Sequence, residues 1–199
     1  MKIFACSDLH RDVATTRRLL SASAGADVIV VAGDFSTNGI GAADTLDILS
    51  ASTVPVMLVH GNHDEPDEIE ALCERSEALN YLHGTSVDFE GKTFFGLGGE
   101  IPSRNSFEWN ASETEERAAE LLGGCPVNAV VVTHTPPFGI ADLQKNGDHE
   151  GSKAILEMIE LKAPKLLLCG HIHHAWGMAD QRGKTCVHNL GPTANWFEV

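Results

Sequence analysis

The chain has 199 residues, 43% hydrophobic and 21% charged, enough for one sizeable core and read as a single domain, 1–199. Its formal net charge is −14, so it lacks the basic footprint that non-specific binding to nucleic acid or anionic lipid requires. No apolar run approaches the ~20 residues of a membrane helix, and Met1 to Asp8 is too short and too soon polar for a signal peptide, which makes the cytoplasm the expected setting.

In chain order, Ile3 to Cys6 is a short apolar run that reads as a buried strand, ending in Ser7-Asp8-Leu9-His10. Asp12 to Ala24 has helical spacing at Val13, Thr16, Leu19 and Leu20, and stops near Gly25. Val28 to Ala32 is a β-branched run of the kind found in central parallel strands, ending in Gly33-Asp34. A second helix fits Ala42 to Ser50. Val54 to Val59 is a third strand, ending in His60-Gly61-Asn62-His63-Asp64, and Pro66 starts a third helix, Pro66 to Ala78. Three rounds of strand, polar tip and helix predict a parallel sheet with its site at the carboxyl ends of the strands.

The pattern then changes. Val87 to Phe89 and Thr93 to Leu97, broken by Glu90-Gly91-Lys92, predict a hairpin. Gly98-Gly99 opens a loop, Glu100 to Ala111, that carries Arg104, Phe107 and Trp109. Ser112-Glu113-Thr114-Glu115 resembles a capping box before a helix to Leu122. Val127 to Val132 is a further strand, ending in Thr133-His134-Thr135-Pro136-Pro137. A loop from Phe138 to Gly151 precedes a helix, Ser152 to Leu161. Lys165 to Cys169 then runs into Gly170-His171-Ile172-His173-His174. Ala175 to Ala179 and Lys184 to His188 read as antiparallel strands, with a last strand at Asn195 to Val199. The five cysteines are odd in number and form no C-x-x-C pair; Cys6, Cys169 and Cys186, in apolar runs, read as buried thiols.

Five strand ends therefore carry metal-compatible side chains: Asp8 and His10, Asp34, Asn62 and His63, His134, and His171 with His173. A parallel sheet delivers such ends to one rim. Two divalent ions ~3.5–4 Å apart need a bridging carboxylate with mixed nitrogen and oxygen ligands. Asp34 is the natural bridge, because Gly33 beside it allows close backbone approach. The two-residue spacing of Asp8-x-His10 and His171-x-His173 points both members of each pair the same way if the backbone stays extended. The isolated histidines His60, His83, His174 and His188 read as structural, and the Glu113 to Glu120 charge run as a solvated helix face.

The blocks Asp8-Leu9-His10, Gly33-Asp34, Gly61-Asn62-His63-Asp64, Thr133-His134 and Gly170-His171-Ile172-His173 resemble the calcineurin-like metallophosphoesterase superfamily, in its order and over almost the whole chain. Ala32-Gly33-Asp34-Phe35, Thr133-His134-Thr135-Pro136-Pro137, Asp148-His149-Glu150-Gly151-Ser152 and Asn189-Leu190-Gly191-Pro192 are similar, more loosely, to a small single-domain branch that includes phosphodiesterase-like members. After Asp34 this chain lacks the Gly-Asp-x-x-Asp-Arg block of the protein Ser/Thr phosphatases, which argues against a phosphoprotein substrate.

The resemblance implies an α/β fold, a four-layer αββα sandwich of two mixed β-sheets flanked by helices. It assigns one metal to Asp8, His10, Asp34 and His173, and a second to Asp34, Asn62, His134 and His171. It marks His63 as catalytic, and the cofactors as two divalent ions, with Mn favoured and Fe, Zn, Co or Ni compatible. The reaction it implies is phosphoester hydrolysis by in-line attack of a hydroxide bridging the metals, with Asn62 on the non-bridging oxygens and His63 at the leaving oxygen. Asp64 either orients His63 or caps the next helix. His149, in the Asn146 to Ser152 loop, either reaches the rim as a substrate contact or belongs to a loop that caps the following helix. Small phosphodiesters rank first as substrates, ahead of phosphomonoesters and of a nuclease activity; a non-catalytic scaffold is the alternative class. Self-association into a homo-oligomer stays open.

Overall fold

The computed structural model describes residues 1–199. Its elements are β1 (Lys2–Cys6), α1 (Val13–Ala22), β2 (Val28–Val31), α2 (Ala43–Leu49), β3 (Val56–Leu58), α3 (Pro66–Cys73), β4 (Leu79–Tyr81), β5 (Thr85–Phe89), β6 (Lys92–Leu97), α4 (Glu115–Leu122), β7 (Val130–Thr133), α5 (Lys153–Lys162), β8 (Leu166–Cys169), β9 (Ala179–Arg182), β10 (Thr185–Asn189) and β11 (Asn195–Glu198). One sheet has the order β11-β1-β2-β3-β4 and the other β5-β6-β7-β8-β10-β9. Strands β1 to β4 run parallel, with β11 antiparallel on the β1 edge. Strands β6, β7, β8 and β10 run parallel, with β5 and β9 antiparallel at the edges.

The strand sequences dictate the layers. Both faces of the central strands are covered, so they read as continuous apolar runs, and alternation still assigns each side chain to a face. Ile3, Ala5, Val28 and Val30 meet Val130, Val132, Leu166 and Leu168 between the sheets. Their neighbours Phe4, Cys6, Ile29 and Val31 pack outward with residues of α1 to α3, such as Leu19, Leu46 and Ile69. Val131, Leu167 and Cys169 pack outward with Ala118 and Leu122 of α4 and Ile155, Met158 and Ile159 of α5. This is the expected αββα sandwich. Leu168 is fully buried in the middle layer, and its truncation to Ala would cost about 2–5 kcal/mol.

The differences from expectation are local. α3 ends at Cys73 instead of Ala78; residues 74–78 turn the chain into β4, whose three residues are too few to show a period. Thr114, not Ser112, caps α4, its side chain accepting from the Arg117 N–H. The strand expected from Ala175 begins at Ala179, because His173–Ala175 form a 3-10 turn. Cys186 is exposed: Thr185 and Val187 take the covered face of β10, and alternation sends the thiol outward.

Candidate metal centre

The tips of the parallel strands are laced together by backbone hydrogen bonds. Asp8 N–H donates to Gly33 O, His10 N–H to Asp34 O, Gly99 N–H to His60 O, and Gly170 N–H to His134 O. The close approach needs glycine: a Cβ on Gly33 would lie 2.6 Å from Gly61 N, and one on Gly61 would lie 2.0 Å from Asp34 Oδ1. Asp8, His10, Asp34 and His171 have φ of 56°, 43°, 59° and 67°, a left-handed conformation that costs on the order of 1–3 kcal/mol per residue and gathers at functional sites. The paired residues thus converge through sharp turns, not through the extended backbone that their spacing suggested. Asp64 has neither role expected of it. Its carboxylate accepts from Asp34 N–H, Gly61 N–H, Ser36 N–H and Ser36 Oγ–H at 2.9, 2.7, 2.8 and 2.6 Å, which pins the β2 and β3 tips together, and α3 has no side-chain cap.

Donor atoms of Asp8, His10, Asp34 and His173 all lie within 4.8 Å of one another. His10 Nε2 is 3.4 Å from Asp34 Oδ2 and 3.4 Å from His173 Nε2, and His173 Nε2 is 3.7 Å from Asp8 Oδ1. Asp34 also faces a second group: its Oδ1 is 3.5 Å from His134 Nε2. Asn62 Oδ1 lies 3.1 Å from both His134 Nε2 and His171 Nδ1. Every ligand candidate named from the sequence is thus brought to one rim.

The hydrogen-bond network decides which atoms face inward. His134 Nδ1 sits 2.7 Å from Ala32 O; a carbonyl only accepts, so Nδ1 carries the proton and Nε2 presents a lone pair. Asn62 Nδ2 donates to Asn110 Oδ1 at 2.9 Å, and Asn110 Nδ2 donates to Glu100 Oε2 at 2.8 Å. Glu100 is buried and faces His171 Nε2 through Oε1 at 3.5 Å. This chain turns Asn62 Oδ1 toward the two imidazoles. An imidazole lone pair, an amide oxygen and a carboxylate oxygen therefore converge with no proton to share, which is the arrangement a cation satisfies.

Charge points the same way. Asp8 and Asp34 are buried, and no lysine or arginine pairs with either. Burial, then the Asp8 and Asp64 carboxylates, push the Asp34 carboxyl well above its ordinary range. Burial, then His171, hold His134 well below its own. A buried anion pair without a basic partner is costly, and a divalent cation reverses that cost.

His63 accepts the Asn38 N–H at Nδ1, 3.0 Å. Its ring stacks on Trp109 at 4.6 Å and meets His10 edge-on at 4.9 Å. Burial, then His10, lower its pKa to about 4, so the neutral ring carries its proton on Nε2. A cavity of about 340 Å³ is lined by Asp34, Asn62, His63, Gln144, His171, His173 and His174. His174 is thus a wall residue outside both ligand sets. The 138–151 loop contributes Gln144, not His149, to this wall; the His149 imidazole is tied to buried Asp142 at 2.6 Å. Phe107 stacks on Trp109 at 5.2 Å, largely exposed, and Arg104 lies exposed. Glu100 and Asn110 are the residues that sequence reasoning missed. Their signal was present, since Glu100 follows Gly98-Gly99 at a strand end like the other tips. Burial raises the Glu100 pKa, but hydrogen bonds from His171, the Arg104 N–H and Asn110 outweigh it and hold the group at about 2.

A family model described as calcineurin-like phosphoesterase matches residues 1–175. A UPF0046 protein of Caenorhabditis elegans is 28% identical over 182 residues, covering 81% of this chain and 61% of that protein. A probable cyclic nucleotide phosphodiesterase of Synechococcus is 24% identical over 183 residues, covering 86% of this chain and 67% of that protein. The chain thus spans less than two thirds of the worm protein's length. Among solved structures, TT1561 of Thermus thermophilus superposes with a TM-score of 0.78 at 19% identity, covering 98% of this chain and 97% of that one, and shares its fold.

Proposed function

This chain belongs to the calcineurin-like phosphoesterase family, and from that premise we propose that it hydrolyses small phosphodiesters with two divalent cations. Asp8, His10, Asp34 and His173 hold one cation; Asp34, Asn62, His134 and His171 hold the other. The observation that carries this reading is the convergence of lone pairs on both sides of the Asp34 carboxylate. The bound cations supply Lewis acidity at the phosphoryl oxygens and lower the pKa of water. Mn is the first choice of metal, with Fe, Zn, Co and Ni compatible with the same nitrogen and oxygen donors.

The chain's own groups do the rest. Asn62, locked by Asn110, keeps its amide in one orientation. His63, held by the Asn38 N–H and by Trp109, offers Nε2–H to the leaving oxygen. Gln144 and His174, on the cavity wall outside both ligand sets, face the organic part of the substrate. No lysine or arginine lines the cavity, so nothing there besides the cations balances the second charge of a monoester dianion. That favours diesters, as does the relative described as a probable cyclic nucleotide phosphodiesterase. The net charge of −14 disfavours polynucleotides, and no helix is long and apolar enough to cross a membrane.

The test is turnover of bis(p-nitrophenyl) phosphate and p-nitrophenyl phosphate by protein stripped of metal and reloaded with each of the five metals in turn. Faster cleavage of the diester, lost again on chelation, is expected. Faster cleavage of the monoester would reverse the substrate assignment, and no turnover with any metal would leave a binding scaffold.

A further inference from the structure

We infer that Trp176 is a positioning residue that holds Asp8 and His173 as a pair for the cation they share; the inference rests on the metal reading above. Four histidines carry that reading, and three have a polar partner on the second ring nitrogen. His134 Nδ1 meets Ala32 O at 2.7 Å, His10 Nδ1 meets Ser36 O at 3.2 Å, and His171 Nε2 faces Glu100 Oε1 at 3.5 Å. Such partners orient metal-ligating imidazoles and tune their basicity. His173 has none on Nδ1, and its side chain is 49% exposed. What restrains it is the Trp176 indole, whose ring lies 4.2 Å from the imidazole at an interplanar angle of 33°.

The same indole fixes the other ligand. Trp176 Nε1–H donates to Asp8 Oδ2 at 3.1 Å, and the Ser7 hydroxyl donates to the same oxygen. Two donors therefore occupy Oδ2. Oδ1 takes the His171 N–H at 3.1 Å and is the oxygen that faces His173 Nε2.

The indole is itself seated. Gly191 lies beneath it, and a Cβ there would come within 2.7 Å of Trp176 Cγ. Gly191 N–H donates to Ser7 Oγ at 2.9 Å, so Ser7, Asp8, Trp176 and Gly191 close a ring of contacts around the carboxylate. Trp176 is 37% exposed, so core packing does not account for an aromatic at this place. One residue thus sets both the rotamer of an exposed imidazole and the free oxygen of a buried carboxylate, two ligands more than 160 positions apart in the sequence.

The experiment is calorimetric titration of metal-free wild type, W176F and W176A with Mn²⁺, alongside thermal melts of the metal-free proteins. W176F keeps an aromatic face and loses the N–H; W176A loses both. Two Mn²⁺ equivalents are expected in wild type. In W176F one equivalent weakens about 10-fold, and in W176A the same one weakens nearer 100-fold, the range that outer partners of metal ligands command. The other equivalent and the W176F melt stay unchanged. Unaltered affinity in W176F and W176A, or equal weakening of both equivalents, would overturn the role of Trp176. A wild type that binds no Mn²⁺ would overturn the metal reading itself, so the two failures are distinguishable.

Discussion

The two groups of donors that share Asp34 are built in opposite ways. The His134 side is buried and wired: His134 is fully enclosed and turned by Ala32 O, Asn62 is 5% exposed, and Asn62 and His171 are turned by a chain of polar contacts running through Asn110 and Glu100. The His173 side opens to solvent at His173, whose imidazole is held by an aromatic stack alone, while left-handed turns, Ser36 O on His10 and the Ser7 hydroxyl, His171 N–H and Trp176 N–H on Asp8 hold its partners. The contrast teaches where rigidity comes from. A buried site is ordered by polar partners that it would be costly to leave unpaired. A rim site is ordered by backbone strain and aromatic contact, and so can admit substrate beside its ligands.

Removing the shared residue should break both sides at once. Asp34→Ala is expected to lose both Mn²⁺ equivalents and all metal-dependent turnover, measured by elemental analysis after gel filtration; retention of two ions would show that Asp34 bridges nothing. His63→Ala leaves both sides intact and tests the chemistry between them. Its kcat should fall on the order of 10²–10⁴-fold with metal content unchanged, and wild-type kcat would sink the assignment of His63.

Glu100→Gln sharpens the contrast, because Glu100 anchors only the wired side. It should weaken the His134-side equivalent by about 10–100-fold and spare the equivalent that Trp176 supports. A titration in which Glu100→Gln and W176F weaken the same equivalent would refute the division into two sides.

The smallest effect concerns pH. His60, packed behind the wired side with Nδ1 2.7 Å from the Tyr81 hydroxyl, is held neutral by burial, its pKa lowered to about 3. The unfolded chain binds that proton more readily, so the group's contribution to stability is complete above about pH 6.5 and is lost as pH falls toward 3. Glu100, held at about 2, adds a loss below its ordinary 4.5. The melting temperature of the metal-free protein should therefore fall from pH 6.5 downward, and His60→Gln should flatten the upper part of that fall. An equally steep curve in the variant would remove His60 as the cause.

Much of the fold was legible because its cause is local. Ile3 to Cys6, Val28 to Val31, Val130 to Val132 and Leu166 to Cys169 are continuous apolar runs, and such runs separated by helices lead to parallel strands whose tips meet. The ligand types were legible too, since Asp8, His10, Asp34, Asn62, His134, His171 and His173 each follow an apolar run. Three-residue β4 was not, because it has no period to read. Nor was the Gln144 wall, because both Gln144 and His149 are polar residues of one loop and only its folded path distinguishes them.

The amino-acid sequence by itself thus determined which ligand-type side chains sit at the strand tips and that their strands run parallel, because side-chain chemistry and alternation act over a few residues, while the layering came with the family resemblance. Only the tertiary structure decided how those side chains face one another: the left-handed turns at Asp8, His10 and His171, the clamp made by Asp64, the Glu100–Asn110–Asn62 chain and the Trp176 hold on Asp8. The direction of a lone pair depends on torsion angles and on partners from distant segments, and neither is written in local composition.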